Sequence, residues 1–160
     1  MNETLIGASY EPIAYLGSQV VNGVNHAVLA KQGVLNGKDS ENIVVLVFNE
    51  KPNDMNVVLT RIESVIEETS PLGGINVDVQ TELSDELVDI FRAGLEGFVG
   101  VGFEPYALLG TQVTTGVNYF FAAVATPVVN DPNPQKSAVL VIVNPMTKTF
   151  SRVDMLTNKH

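Results

Sequence analysis

The 160-residue chain has no cysteine, no tryptophan and only two histidines, and it carries 9 basic side chains against 18 acidic ones. Lack of cysteine excludes disulfides and thiolate chemistry together, so the fold rests on its core and its sheet hydrogen bonds. The acidic excess, a net charge of -9, leaves no basic patch to neutralise phosphates. Nucleic acid and anionic membrane surfaces are therefore not expected partners. Long hydrophobic runs are also missing. The most apolar run, Tyr119 to Ala125, is far too short to span a bilayer. The opening Met-Asn-Glu-Thr has neither a basic nor an apolar leader region, so no signal peptide is expected in this chain. That leaves the compartment open between cytoplasm and export after processing.

Catalytic chemistry has little to stand on. His26 and His160 stand without cysteine, no acidic cluster has metal-ligand spacing, and no glycine-rich phosphate loop is present. The expectation is a protein that is not an enzyme, with no metal and no cofactor. Hydrophobic residues at 45% and charged ones at 17% describe a compact chain rather than a disordered one.

What organises the chain is a repeat. Gln19-Val20-Val21-Asn22-Gly23-Val24-Asn25-His26 returns 93 residues later as Gln112-Val113-Thr114-Thr115-Gly116-Val117-Asn118-Tyr119. Setting Gly7–Asn25 against Gly100–Asn118 gives identity at 11 of 19 positions, where average composition gives about one. In each copy a long β-prone segment ends in Gln-Val, turns at a Gly and leaves as a second β-rich segment, a hairpin. Asn22-Gly23 is the pair preferred where both central turn residues need positive φ. Thr115-Gly116 fits that turn type less well. His26 takes the place of Tyr119 and reads as a structural aromatic. Glu11-Pro12 and Glu104-Pro105 recur, marking an edge position or a bulge.

Four strands are expected in the first copy, at 7–20, 24–35, 43–48 and 56–64. The apolar run Ile43–Phe48 suits a strand covered on both faces. Residues 55 to 68 also show helical spacing, but their match to Met146–Val153 favours strand. Ser70-Pro71-Leu72-Gly73-Gly74 punctuates the chain, setting a first repeat at 1–69 and a second at 70–160. The one expected helix spans 84–96, with Ser84 as N-cap, Asp85 and Glu86 in its first turn, and Leu87, Ile90, Phe91, Gly94 and Leu95 on one stripe. Close approach to a strand would account for Gly94. Strands at 98–113, 117–129, 138–144 and 149–156 follow.

Leu109 to Tyr119 resembles the first-hairpin region of the cystatins, inhibitors of papain-like cysteine proteases, whose signature is Gln-x-Val-x-Gly. The first copy satisfies it at Gln19–Gly23, and the second has Thr114 in place of Val. The resemblance implies an α+β class, an antiparallel sheet wrapped on a helix, duplicated here with one helix. It also implies a wedge that fills a protease cleft without presenting a scissile bond. In the second copy that wedge would be the trunk Gly73 and Gly74, the turn Gln112, Val113, Thr114, Thr115 and Gly116, and the loop Pro145 and Met146. In the first copy it would be Gln19, Val20, Val21, Asn22 and Gly23. The family often has Pro-Trp in the second loop, and this chain has no Trp. The first copy lacks helix and trunk, so its sheet must share the helix, pack on the other sheet, or pair with a second chain as a homodimer. Two functions stand side by side: a papain-like protease inhibitor, and a non-inhibitory interaction module that binds through an exposed sheet face or edge.

Overall fold

The computed structural model describes residues 8–34, 40–52, 56–67, 74–96, 101–130, 132–133 and 135–155. The chain divides into two compact units, Met1–Glu68 and Thr69–His160. The first holds β1 (Ala8–Val21), β2 (Gly23–Val34), β3 (Ser40–Glu50) and β4 (Val57–Glu67), an antiparallel meander in chain order. Residues 57–67 are strand, as the match between copies requires, and the helical spacing there is coincidental. The second unit holds β5 (Ile75–Gln80), the helix α1 (Asp85–Gly94), β6 (Val101–Thr114), β7 (Gly116–Pro127), β8 (Ser137–Asn144) and β9 (Thr149–Asp154), with its five strands again in chain order.

The α+β expectation is thus corrected. Nine strands in two antiparallel sheets and one helix of ten residues, among the described residues, make a mostly β protein. The helix is about three turns long and packs on the second unit's sheet, too little to set the class. The strand β5 was not foreseen, although Ile75, Val77 and Val79 alternate with Asn76, Asp78 and Gln80 as a half-buried strand should.

Helix α1 forms as its sequence directs. Ser84 Oγ accepts a hydrogen bond from the Leu87 amide at 3.2 Å, satisfying one of the orphan donors of the first turn. Its apolar stripe lies on the second sheet, where Phe91 is buried among Leu108, Phe121, Ala123, Val139, Val141 and Val143. A Cβ at Gly94 would stand 2.7 Å from Val143 Cγ1, so the glycine is there for close helix-to-strand approach.

The repeat holds at the level of irregularities. The register of β1 on β2 shifts between Pro12 and Ala14 and between Tyr15 and Gly17. That of β6 on β7 shifts between Pro105 and Ala107 and between Leu108 and Gly110, the same positions 93 residues on. Both prolines therefore border a bulge, where a missing donor is tolerated. The extra residue beside Pro105 is Tyr106, whose hydroxyl is buried without a partner; burial pushes its pKa up to about 12. The folded state holds this proton more tightly than the unfolded state, whose phenol titrates near 10.0. Its contribution is therefore complete below pH ~10 and lost as pH rises toward ~12. Tyr106→Phe is expected to alter stability at pH 7 by less than ~1 kcal/mol. Compared with the parent in urea midpoints taken from pH 9 to 12, it should flatten the alkaline decline.

Among the described residues the first sheet carries no helix, and its composition differs accordingly. Strand β3 is buried on both faces, Ile43, Val45 and Val47 on one and Val44 and Leu46 on the other. The face equivalent to the helix-bearing one keeps a small apolar centre of Ala30, Val44 and Leu46, packed by Tyr10, Phe48 and Leu59. Its two ends are polar. Where the second sheet aligns Phe103, Ala125 and Ser137, the first aligns Tyr10, Gln32 and Asn42. These three bond in series, Gln32 Nε2 donating to Tyr10 Oη at 2.9 Å and Asn42 Nδ2 to Gln32 Oε1 at 3.0 Å. At the other end Leu108 and Tyr119 are replaced by Tyr15 and His26. Tyr15 Oη lies 2.8 Å from His26 Nδ1, and His26 Nε2 lies 3.0 Å from Glu50 Oε1. Such cross-strand ladders satisfy polar groups laterally, within the sheet.

Candidate functional site

The hairpin turns come first, because they carry the repeated motif. Val20 pairs with Val24 and Val113 with Val117, and inside them Val21 faces Gly23 and Thr114 faces Gly116, so each turn is odd-membered, three residues between the valine pairs with Asn22 or Thr115 alone unpaired at the tip. Only the glycines have positive φ, +95° at Gly23 and +82° at Gly116; neither Asn22 nor Thr115 does. This corrects the two-residue turn expected from Asn22-Gly23. A three-residue loop needs the left-handed conformation at its last position alone, which is why Thr serves as well as Asn at the tip.

Each turn is pinned by a buried asparagine at the end of a neighbouring strand. Asn144 Nδ2 donates to the Thr115 carbonyl and to Asn118 Oδ1, both at 3.0 Å. Asn144 Oδ1 accepts from the amides of Met146 at 3.0 Å and Thr147 at 3.1 Å. Asn118 Nδ2 in turn donates to Gln112 Oε1 at 3.0 Å. One side chain thus ties the β6–β7 turn to the β8–β9 loop. A Cβ at Gly116 would lie 2.7 Å from Met146 Cβ and 2.9 Å from Asn144 Oδ1, so the two segments touch. Gly74 completes the edge, since the pairing of Ile75 with Gln112 sets it at the same end. Gly73 lies outside the described residues. The structure therefore gathers Gly74, Gln112 to Gly116, Pro145 and Met146 at one end of the second unit.

That end is uncharged over these residues and apolar at its extremity. Val113 and Met146 are each 70% exposed, and Thr114, Thr115 and Pro145 are exposed beside them. Met146 stands where the resemblance leads one to look for a tryptophan.

The first unit repeats the clamp incompletely. Asn49 Nδ2 donates to Asn25 Oδ1 at 2.9 Å and reaches the Asn22 carbonyl at 3.5 Å, but Asn49 Oδ1 is buried without a partner. Pro52 occupies the place of Thr147 and has no amide to offer. Gln19, Val20, Val21, Asn22 and Gly23 lie together at the end of the first sheet, with Gly23 against the Glu50 carbonyl oxygen and Lys51 Cα. Glu50 and Lys51 bring charge to the tip. Among the described residues no third segment joins them, because β1 is the edge of its sheet.

Sequence reasoning missed the clamp, yet its signal was there: Asn follows Gly-Val in both motifs, and Asn49 and Asn144 end the two apolar runs. Elsewhere, Glu11 pairs at 3.4 Å with Lys31, which also meets Glu41 at 3.2 Å, an ion pair on the sheet surface. Among the described residues no group of acidic or histidine side chains could hold a metal ion, and no helix is long and apolar enough to cross a membrane. No protein-family model, curated protein or solved structure matches the chain.

Proposed function

We propose that the loop end of the second unit is a docking wedge, and that the protein inhibits papain-like cysteine proteases by filling their active-site cleft. One observation carries this reading: Val113 and Met146, two well-exposed apolar side chains, stand on different loops that Asn144 fastens together. A monomeric protein gains nothing in stability from displaying them, whereas a narrow apolar cleft gains both. Because the loops are already tied, little conformational freedom is lost on docking. The resemblance of Gln112–Gly116 to the cystatin signature names the partner class. Inhibition then needs no chemistry from this chain. The wedge excludes substrate, and its turn backbone passes the nucleophile without offering a bond to cleave. The first unit, with two segments and a charged tip, is the weaker candidate for the same role.

The test is a bulky charge at each turn tip. Thr115 and Asn22 precede the turn glycine and are exposed, so arginine at either costs ~0.5 kcal/mol or less in stability. Thr115→Arg is expected to weaken inhibition of papain by at least ~100-fold, since the charge must be desolvated against the cleft wall. Asn22→Arg is expected to leave inhibition unchanged. Equal inhibition by the parent and Thr115→Arg would remove the second-unit wedge.

A further inference from the structure

The two units differ at one sheet edge, and the difference describes a site. In the second unit β5 adds antiparallel to the outer edge of β6, with Ile75 opposite Gln112, Asn76 opposite Thr111, Val77 opposite Gly110 and Gln80 opposite Leu108. In the first unit β1 is the same strand by sequence and by bulge position, and among the described residues no strand pairs with its outer edge. The equivalent positions are Gln19, Ser18, Gly17 and Tyr15.

Two features mark this edge as open to a strand. Gly110 admits β5 because a Cβ there would stand 2.5 Å from the Asn76 carbonyl oxygen and 3.2 Å from Val77 Cα. Gly17 keeps the glycine, here at a φ of +147°, and a Cβ there would meet nothing within 4 Å, so the space beside it is open. Lastly, exposed edges are ordinarily blunted by charge, proline or a bulge; residues 15 to 21 contain neither charge nor proline, and the bulge between Tyr15 and Gly17 is one that β6 also carries while accepting β5. Pro12 lies beyond the docking stretch, as Pro105 lies beyond the reach of β5.

We infer that the outer edge of β1 from Tyr15 to Gln19 is a strand-accepting site for an extended segment of another polypeptide. The segment adds antiparallel, in the register β5 uses, with β-branched apolar residues opposite Gln19 and Gly17 and a polar residue between them. Backbone hydrogen bonds supply its affinity and the space at Gly17 sets its register. A free segment fits better than the β5 of a second copy, which would first have to leave its own ladder. This site is independent of the protease wedge and does not rest on it.

The test uses the full chain and a peptide of its own residues 74–81, followed by hydrogen exchange of the protein's amides. Saturable binding is expected, with amides in 15–19 exchanging at least ~10-fold more slowly. The same peptide carrying Val77→Pro, which lacks a ladder donor, is expected to protect nothing. Failure of the parent peptide to protect 15–19, or equal protection by the proline peptide, overturns the proposal. So does protection confined to 108–112, which would report exchange with β5. Concentration-dependent dimerisation that itself protects 15–19 without peptide would assign the edge to a second copy and overturn the stated occupant.

Discussion

Asn144→Ala is expected to destabilise the protein by about 3 kcal/mol, a large effect for one neutral polar side chain. The substitution removes two donated and two accepted hydrogen bonds at 3.0 to 3.1 Å. Each is worth ~1 kcal/mol net, and half-buried groups such as Asn118 Oδ1 are left to find new partners. The loop amides of Met146 and Thr147 recover water, which keeps the total below the simple sum. Asn49→Ala is the internal control. It removes one good bond and one long one and deletes an oxygen that already lacks a partner, so its cost should be near 1 kcal/mol. Urea denaturation of the two variants beside the parent measures both. Similar losses from the two would mean that the asparagine at the end of β8 is not the special fastening described here. The protease inhibition proposed above should weaken in Asn144→Ala beyond the effect on folding, because the turn and the loop no longer move as one piece.

Phe91→Ala is expected to cost more, about 3 to 5 kcal/mol, the range for emptying a fully buried aromatic site. Phe91 is wholly buried and meets Phe121 edge to face, with ring centroids 5.1 Å apart and planes at 79°. Such a pair adds ~0.5 to 1.5 kcal/mol beyond its buried area. A ten-residue helix does not persist on propensity alone, so α1 should detach from the sheet in this variant. Far-UV circular dichroism through a denaturant titration would show helical signal lost ahead of sheet signal. Asp89→Ala, on the exposed side of the same helix, is expected to change stability by less than ~0.5 kcal/mol. Coincident transitions at the parent's midpoint for Phe91→Ala would contradict this packing.

Much of the fold was legible wherever a local rule acts. The 93-residue repeat located both hairpins, Ser84 and Gly94 located the helix and its close approach, and the match of residues 55–68 to Met146–Val153 decided strand over helix in β4. What could not be read depends on register across strands. The ladder of Tyr10, Gln32 and Asn42 exists only because β1, β2 and β3 bring those residues abreast, and the single-chain pattern of each gives no hint of the others. The same holds for the site. Gln112 to Gly116 announced itself as a motif, whereas Asn144 acts from 29 positions away. Strand β5 was missed for a different reason: six residues of clean alternation followed a Pro-Gly junction, and the junction drew the reading. The helix drew too much weight in the same way, turning a mostly β chain into an α+β expectation.

Whether the second unit's loop end occupies a protease cleft, as proposed, is decided by a titration of papain with the intact protein. With a small chromogenic substrate, the expected result is saturable, reversible inhibition that rising substrate concentration relieves, with the protein recovered uncleaved. Undiminished papain activity at high micromolar protein, or cleavage of the chain between Val113 and Gly116, would contradict it.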